Sequence, residues 1–112
     1  MKSCVVIGMG RFGREVSRRL CEFGCEVMAM DLRSELVQQI SGEVTHAVVA
    51  DAKDKEVLRT LDVQDFDCAI VAVGDNLADS VLTTMNLKEL KVPYIVCKAR
   101  DETHRQVLEK LG

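Results

Sequence analysis

No stretch of this sequence reaches the roughly 18 consecutive apolar residues that cross a bilayer, so no membrane span is expected. No sign of charge dominates either. Fifteen Lys and Arg are interspersed with 18 Asp and Glu, for a net charge of −3. That balance leaves no basic footprint for nucleic acid or an anionic membrane. The cysteines are Cys4, Cys21, Cys25, Cys68 and Cys97, an odd count without the short paired spacings of a disulfide framework or a zinc site. Cys21 and Cys25 fall four apart with no histidine or further cysteine beside them, and are expected to pack. His46 and His104 stand alone, so no metal site is expected. Repeats, linkers and low-complexity tracts are missing too. A chain of 112 residues makes one domain, with about two-thirds of its extended surface buried. Met1-Lys2-Ser3 runs directly into the first apolar stretch and leaves no room for a signal peptide. With its thiols free, the chain reads as a reducing, cytoplasmic protein.

What is present is an alternation of strand and helix. Short continuous apolar runs predict strands over 3–7, 25–30, 45–50, 68–73 and 94–98. Asp31 closes the second and Gly74 the fourth. Helices are expected over 11–23, from Ser34 as a cap to near Gly42, over 54–61, over 76–90 and from the cap Asp101 to Gly112. In the first helix Phe12, Val16, Leu20 and Phe23 recur at helical spacing, with Gly24 as its stop. Val92-Pro93 is expected to break the fourth. Strands that are apolar throughout are buried on both faces, as in a parallel sheet covered by helices. Right-handed crossovers then give a doubly wound α/β sheet of Rossmann type, in the order 3-2-1-4-5. A further strand and a carboxy-terminal lobe are expected to follow in the natural chain.

The run Cys4 to Gly13 places glycines in the pattern G-x-G-x-x-G between the first strand and the first helix. Gly8 makes the turn out of the strand, Gly10 lets backbone approach a diphosphate, and Gly13 lets the helix pack closely. The amides of the helix's first turn, with its dipole, favour an anion. Asp31 is placed to accept hydrogen bonds from both hydroxyls of an adenosine ribose and to repel a 2′-phosphate, an effect that nearby Arg33 softens. Arg11 is placed to pair with a terminal phosphate, in its own subunit or a neighbour's, or to stand solvated in the first turn of the helix. Asp51 can face the adenine amino group or cap the following helix. Gly74, Asp75 and Asn76 line the other lip of the crevice, or Asn76 is only the cap of the fourth helix. Lys98 can reach phosphate or make a surface ion pair.

Val6-Ile7-Gly8-Met9-Gly10-Arg11-Phe12-Gly13 closely resembles the glycine loop of the potassium-transport nucleotide-binding domain (KTN, or TrkA-N). This is the amino-terminal lobe of the regulator-of-potassium-conductance (RCK) family, found in cytosolic regulatory subunits of Trk and Ktr uptake systems. The likeness continues through Met30-Asp31, the segments 45–52 and 70–76, Leu82-Thr83-Thr84, the segment 87–90 and the segment 107–112. The resemblance implies a non-enzymatic regulator, peripheral to the inner face of the plasma membrane. Homodimers would assemble into a ring beneath a membrane-embedded potassium-translocating subunit, and bound nucleotide would set the ring's shape. It also implies a binding set: Gly8, Gly10 and Gly13 for the diphosphate, Arg11 for a terminal phosphate across the dimer, Asp31 for the ribose, Asp51 and Ala52 for the adenine, and Lys98 near the phosphates. Met9, Phe12, Leu32, Val73, Gly74, Asp75 and Asn76 would complete it. Ktr members often carry Asn at the position of Asp51 and Trk-type members an acid, so ATP, ADP or AMP and NAD(H) all stay open. The competing expectation is the dinucleotide-binding half of an NAD-dependent dehydrogenase, for which no proton donor or acceptor stands out. A redox sensor using Cys21, Cys25 or Cys97 ranks last. The hydrophobic content of the fourth helix, with Leu77, Val81, Leu82, Met85, Leu87 and Leu90, marks it as the expected dimer contact.

Overall fold

In the computed structural model, which describes residues 2–73, 76–99 and 101–111, the apolar runs form one sheet. They become β1 (Ser3–Ile7), β2 (Glu26–Asp31), β3 (His46–Val49), β4 (Cys68–Val71) and β5 (Tyr94–Cys97). All neighbours are parallel and the order is β3-β2-β1-β4-β5. The helices are α1 (Arg11–Glu22), α2 (Ser34–Ile40), α3 (Lys55–Thr60), α4 (Leu77–Glu89) and α5 (Glu102–Leu111). A single 3-10 turn, Val63–Asp65, precedes β4 and has no counterpart in the sequence pattern. The fold is therefore the expected α/β Rossmann-like one, with elements a residue or two shorter at most ends. Gly74 and Gly112, expected at the ends of β4 and α5, lie outside the described residues.

Burial on both faces holds at the centre of the sheet. Residues 4–7 of β1 and 27–31 of β2 are buried. It does not hold at the edges: Val49 in β3 and Tyr94 and Val96 in β5 are exposed. An edge strand has a neighbour on one side only, and helix cover thins there. Two layers of core result. Val5, Ile7, Met30, Leu58, Val71 and Leu87 pack on one face. Val6, Met9, Val27, Ala29 and Ile40 pack on the other.

The apolar stripe of α1 is narrower than its spacing suggests. Val16 and Leu20 pack on the core, but Phe12 and Phe23 are exposed, and the residues buried most deeply are Gly13 and Ser17. The start of the helix lies too close to the turn after β1 for a larger residue than Gly13 at the contact. Its end is a left-handed Gly24, where Cys25 N–H reaches back to Leu20 O. In α4 the same stop is made by Lys91 at φ 63°, two residues before Pro93, with Val92 N–H donating to Leu87 O. Ser34 is not the cap of α2. Asp31 Oδ1 accepts the Arg33 N–H at 2.8 Å, which turns the chain early, so Arg33 takes the cap position and Ser34 is already helical. Asp54, expected as the first residue of the third helix, instead caps α3, and Asp51 does not. Asn76 caps α4 and Asp101 accepts the His104 N–H at the start of α5, as expected. The buried His104 ring also meets Ser80 Oγ at 2.9 Å and ties α5 to α4.

Candidate functional site

The glycine loop is shaped by two close approaches. Gly8 has φ +101°, and a Cβ there would stand 2.9 Å from the Ala72 backbone. A Cβ on Gly13 would stand 1.7 Å from Gly8 O. Gly13 thus admits α1 against the turn made by Gly8 and against Ala72, rather than against the middle of the sheet. At Gly10 a Cβ would meet nothing within 4 Å. The Gly10 backbone is therefore open to a close approach from the cleft. No side chain caps α1, and its first turn holds no acid. The amides that an α-helix leaves without internal acceptors therefore sit in an uncompensated positive field.

These features open onto a cleft of about 480 Å³ at the carboxyl ends of the strands, where the winding reverses between β1 and β4. Gly8, Gly10, Arg11, Phe12, Asp31, Leu32, Asp51, Ala52, Val73, Asn76 and Lys98 all line it. Met9 and Gly13, placed in the binding set by resemblance, do not. Gly13 is spent on the helix contact. Met9 is fully buried in the core, and its N–H donates to Asp31 Oδ2 at 2.7 Å. Gly74 and Asp75 lie outside the described residues. A second hollow of about 430 Å³ lies among α4, β5 and α5. It meets neither the glycine loop nor the start of α1.

Asp31 is the most constrained residue of the cleft. Its side chain is 5% exposed, and its two oxygens accept four hydrogen bonds. Besides the Met9 and Arg33 amides, Arg33 Nε donates at 3.0 Å to Oδ1 and Nη2 at 3.1 Å to Oδ2. Burial alone pushes this carboxyl up. The Arg33 guanidinium and the two amides outweigh it and hold the group below the ordinary carboxylate value. The opposite end is built differently. Arg11 and Lys98 are both exposed, and Lys98 Nζ stands 5.1 Å from the centre of the Phe12 ring. Backbone pairing of Lys98 N–H with Val71 O fixes where that side chain starts.

The third wall carries residues that the sequence pattern did not single out. Lys53 Nζ lies 3.7 Å from Asp51 and 3.5 Å from Asp79, bridging the loop after β3 to the first turn of α4. Asp51 also accepts the Lys53 N–H at 2.9 Å, a turn-forming bond. Asn86 Nδ2 donates to Ala52 O and holds the same loop from behind. A lysine two residues after an acid was the available signal, but Asp79 lies too far along the chain to be paired with it by eye.

Among the described residues no group of His, Cys, Asp and Glu is arranged to hold a metal ion, and no helix is long and apolar enough to cross a membrane. The thiol of Cys4 is pushed up to about 12 by burial, with Cys68 and Cys25 adding to it. Burial likewise raises Cys68 and Cys97. These thiols are poor nucleophiles.

The family model described as the TrkA-N domain matches residues 4–112. Ktr system potassium uptake protein C of Bacillus subtilis is 45% identical over 111 residues, 99% of this chain and 50% of that protein. Ktr system potassium uptake protein A of the same organism is 43% identical over the same shares. The chain thus spans about half the length of these relatives. The crystal structure of the NAD(P)-binding domain of an exopolyphosphatase-related protein from Archaeoglobus fulgidus superposes with a TM-score of 0.86 at 22% identity, over 100% of this chain and 84% of that one. That likeness supports the fold. With a family model covering the glycine loop, the sheet and all five helices, and relatives well above 30% identity end to end, this chain belongs to the TrkA-N domain family.

Proposed function

We propose that this domain is a non-catalytic adenine-nucleotide sensor that regulates a Ktr-type potassium uptake system. The observation that carries the reading is the cleft itself. An uncapped helix start with open space at Gly10 faces cations at one end, and an ionised, buried Asp31 stands at the other. A polyanion with a ribose fits both demands at once. Gly8, Gly10, Arg11, Phe12 and Lys98 would hold the phosphates. Asp31 and Leu32 would hold the ribose, and Asp51, Ala52, Val73 and Asn76 the adenine side. The likeness to Ktr system potassium uptake proteins supports the regulatory role and a membrane-embedded potassium-translocating partner.

A sensor works only if the ligand binds one assembly shape better than another. Leu82 and Met85 of α4 are 47% and 40% exposed, which favours α4 as the contact in a homodimer and, in a longer protein, a ring. The test is calorimetry with AMP, ADP, ATP, NAD+ and NADH. Binding of at least one, lost in Asp31→Ala, is expected, and silence toward all five would overturn the reading. X-ray scattering of the dimer with ADP and with ATP then reads the gating step, and identical profiles would count against shape control.

A further inference from the structure

The wall after β3 holds a donor and an acceptor that neither the phosphate end nor the ribose end uses. Asp51 and Lys53 both line the cleft. Asp51 Oδ1 accepts the Lys53 N–H at 2.9 Å, and this turn bond fixes the carboxylate. Among the described residues nothing donates to Asp51 Oδ2. Lys53 Nζ stands 3.7 Å from Asp51 Oδ1 and 3.5 Å from Asp79 Oδ1. Those distances hold the ammonium in place by charge, but they are longer than the roughly 2.7–2.9 Å of a committed charge-assisted hydrogen bond. Its three protons stay available, on a side chain that is 32% exposed. A carboxylate oxygen and an ammonium, side by side on a cleft wall, match neighbouring atoms on the hydrogen-bonding edge of a purine.

We propose that Asp51 and Lys53 read the base together, and that the site takes guanine nucleotides as well as adenine nucleotides, with Lys53 as the residue that admits guanine. The inference rests on the nucleotide reading above and adds a ligand class to it. Adenine presents its N6 amino group beside the N1 acceptor. Asp51 Oδ2 can accept from N6, and Lys53 can donate to N1. Guanine presents the reverse order, the O6 acceptor beside the N1–H donor. Lys53 can then donate to O6 while Asp51 Oδ2 accepts from N1–H. The ammonium is a compact point charge on a flexible stem, so it follows either order without moving the wall. Without it, O6 of guanine would face the carboxylates of Asp51 and Asp79, acceptor against acceptor. Adenine meets no such conflict, because its N6 donors still find a carboxylate. Lys53 therefore matters more to guanine than to adenine.

The test is calorimetry of wild type, Lys53→Met and Lys53→Arg with ADP and GDP as probes. Wild type should bind the two with Kd values within about tenfold of each other. Lys53→Met keeps the stem and removes the charge. It should weaken GDP by about tenfold and ADP by about two- to threefold. Lys53→Arg should restore GDP to within about threefold of wild type. Damage to the wall alone lowers both probes together, so their ratio separates base reading from a structural role. Three results overturn the inference and leave the nucleotide site standing. They are wild-type Kd values more than about tenfold apart, equal weakening of both probes in Lys53→Met, and a GDP loss that Lys53→Arg does not restore. No binding of either probe by any of the three chains overturns the nucleotide reading, and the inference with it.

Discussion

The two ends of the cleft, proposed above to take ribose at one and phosphate at the other, solve opposite problems. At the ribose end, charge is buried and answered within the chain: Asp31 is 7% exposed and its oxygens accept four internal hydrogen bonds. At the phosphate end, charge is exposed and unanswered. Among the described residues neither Arg11 nor Lys98 makes an ion pair, and the nearest partner of Lys98 is an aromatic ring. Exposed cations attract a polyanion from a distance and are screened by salt. A buried, satisfied carboxylate gives little long-range attraction, but a ligand must match its geometry to displace what it already holds. Affinity should therefore come mainly from the phosphate end and discrimination from the ribose end.

The largest effect should come from Gly13, which lets the start of α1 pack against the Gly8 turn. In Gly13→Ala the added methyl would overlap Gly8 O, and α1 must lift off the turn. Backbone overlap of this kind is expected to cost on the order of 3 kcal/mol or more, read as a lower urea midpoint. Nucleotide binding should disappear along with the loop geometry. A stable, binding-competent Gly13→Ala chain would mean that the loop is soft, and that the contrast between its ends is not held in place by it.

Arg11→Ala tests the phosphate end alone. Loss of one charge-assisted contact should weaken ADP by about 1.5–3 kcal/mol, while adenosine binds as before. The loss should shrink at high salt. If adenosine weakens equally, Arg11 supports the whole cleft and the division into two ends is wrong.

Much of this arrangement is legible in the sequence, for identifiable reasons. The sheet order follows from five apolar runs separated by helical periodicity, because each strand–helix unit is local in the chain. The glycine loop is legible because each glycine answers a local backbone demand. Asp31 is placed by its position at a strand end. What the sequence hides depends on distances between residues far apart in it. The Met9 amide is consumed by an acid 22 residues away. Gly13 packs on a carbonyl rather than on a side chain. Lys53 spans two acids on different elements. Phe12 looks like a core residue by spacing and stands instead beneath Lys98. Arg33 was visible as a neighbour of Asp31, but not as a fork on both of its oxygens.

The ribose end has its own test, in acid. The folded Asp31 carboxyl lies below its ordinary value, which is about 3.9 in an unfolded chain. A lowered folded value means that the stabilising contribution is fully present above the unfolded value and is lost as pH falls through the folded one. Asp31→Asn should therefore be less stable than wild type by about 1–2 kcal/mol at pH 7, the loss of a charge on its donors. The difference should close as pH drops below about 4. A difference that persists unchanged at pH 2 would show that side-chain shape, not charge, holds this end together.

The smallest effect concerns the ring beneath Lys98. Phe12→Leu keeps an apolar side chain and every charge, and removes the face over which the ammonium stands at 5.1 Å. Such a contact at an exposed site contributes about 0.5–1 kcal/mol. Lys98 would then sample more rotamers in the free protein and lose more freedom when a phosphate arrives. ADP should weaken by about two- to fivefold, and adenosine should not change. The salt dependence of ADP binding should stay as it is, since the number of cations facing the phosphates is unaltered. Tighter ADP binding in Phe12→Leu would mean that the ring withholds Lys98 from the phosphate. The phosphate end would then hold its cation within the chain, as the ribose end holds Asp31, and the contrast between the two ends would narrow to a difference in strength.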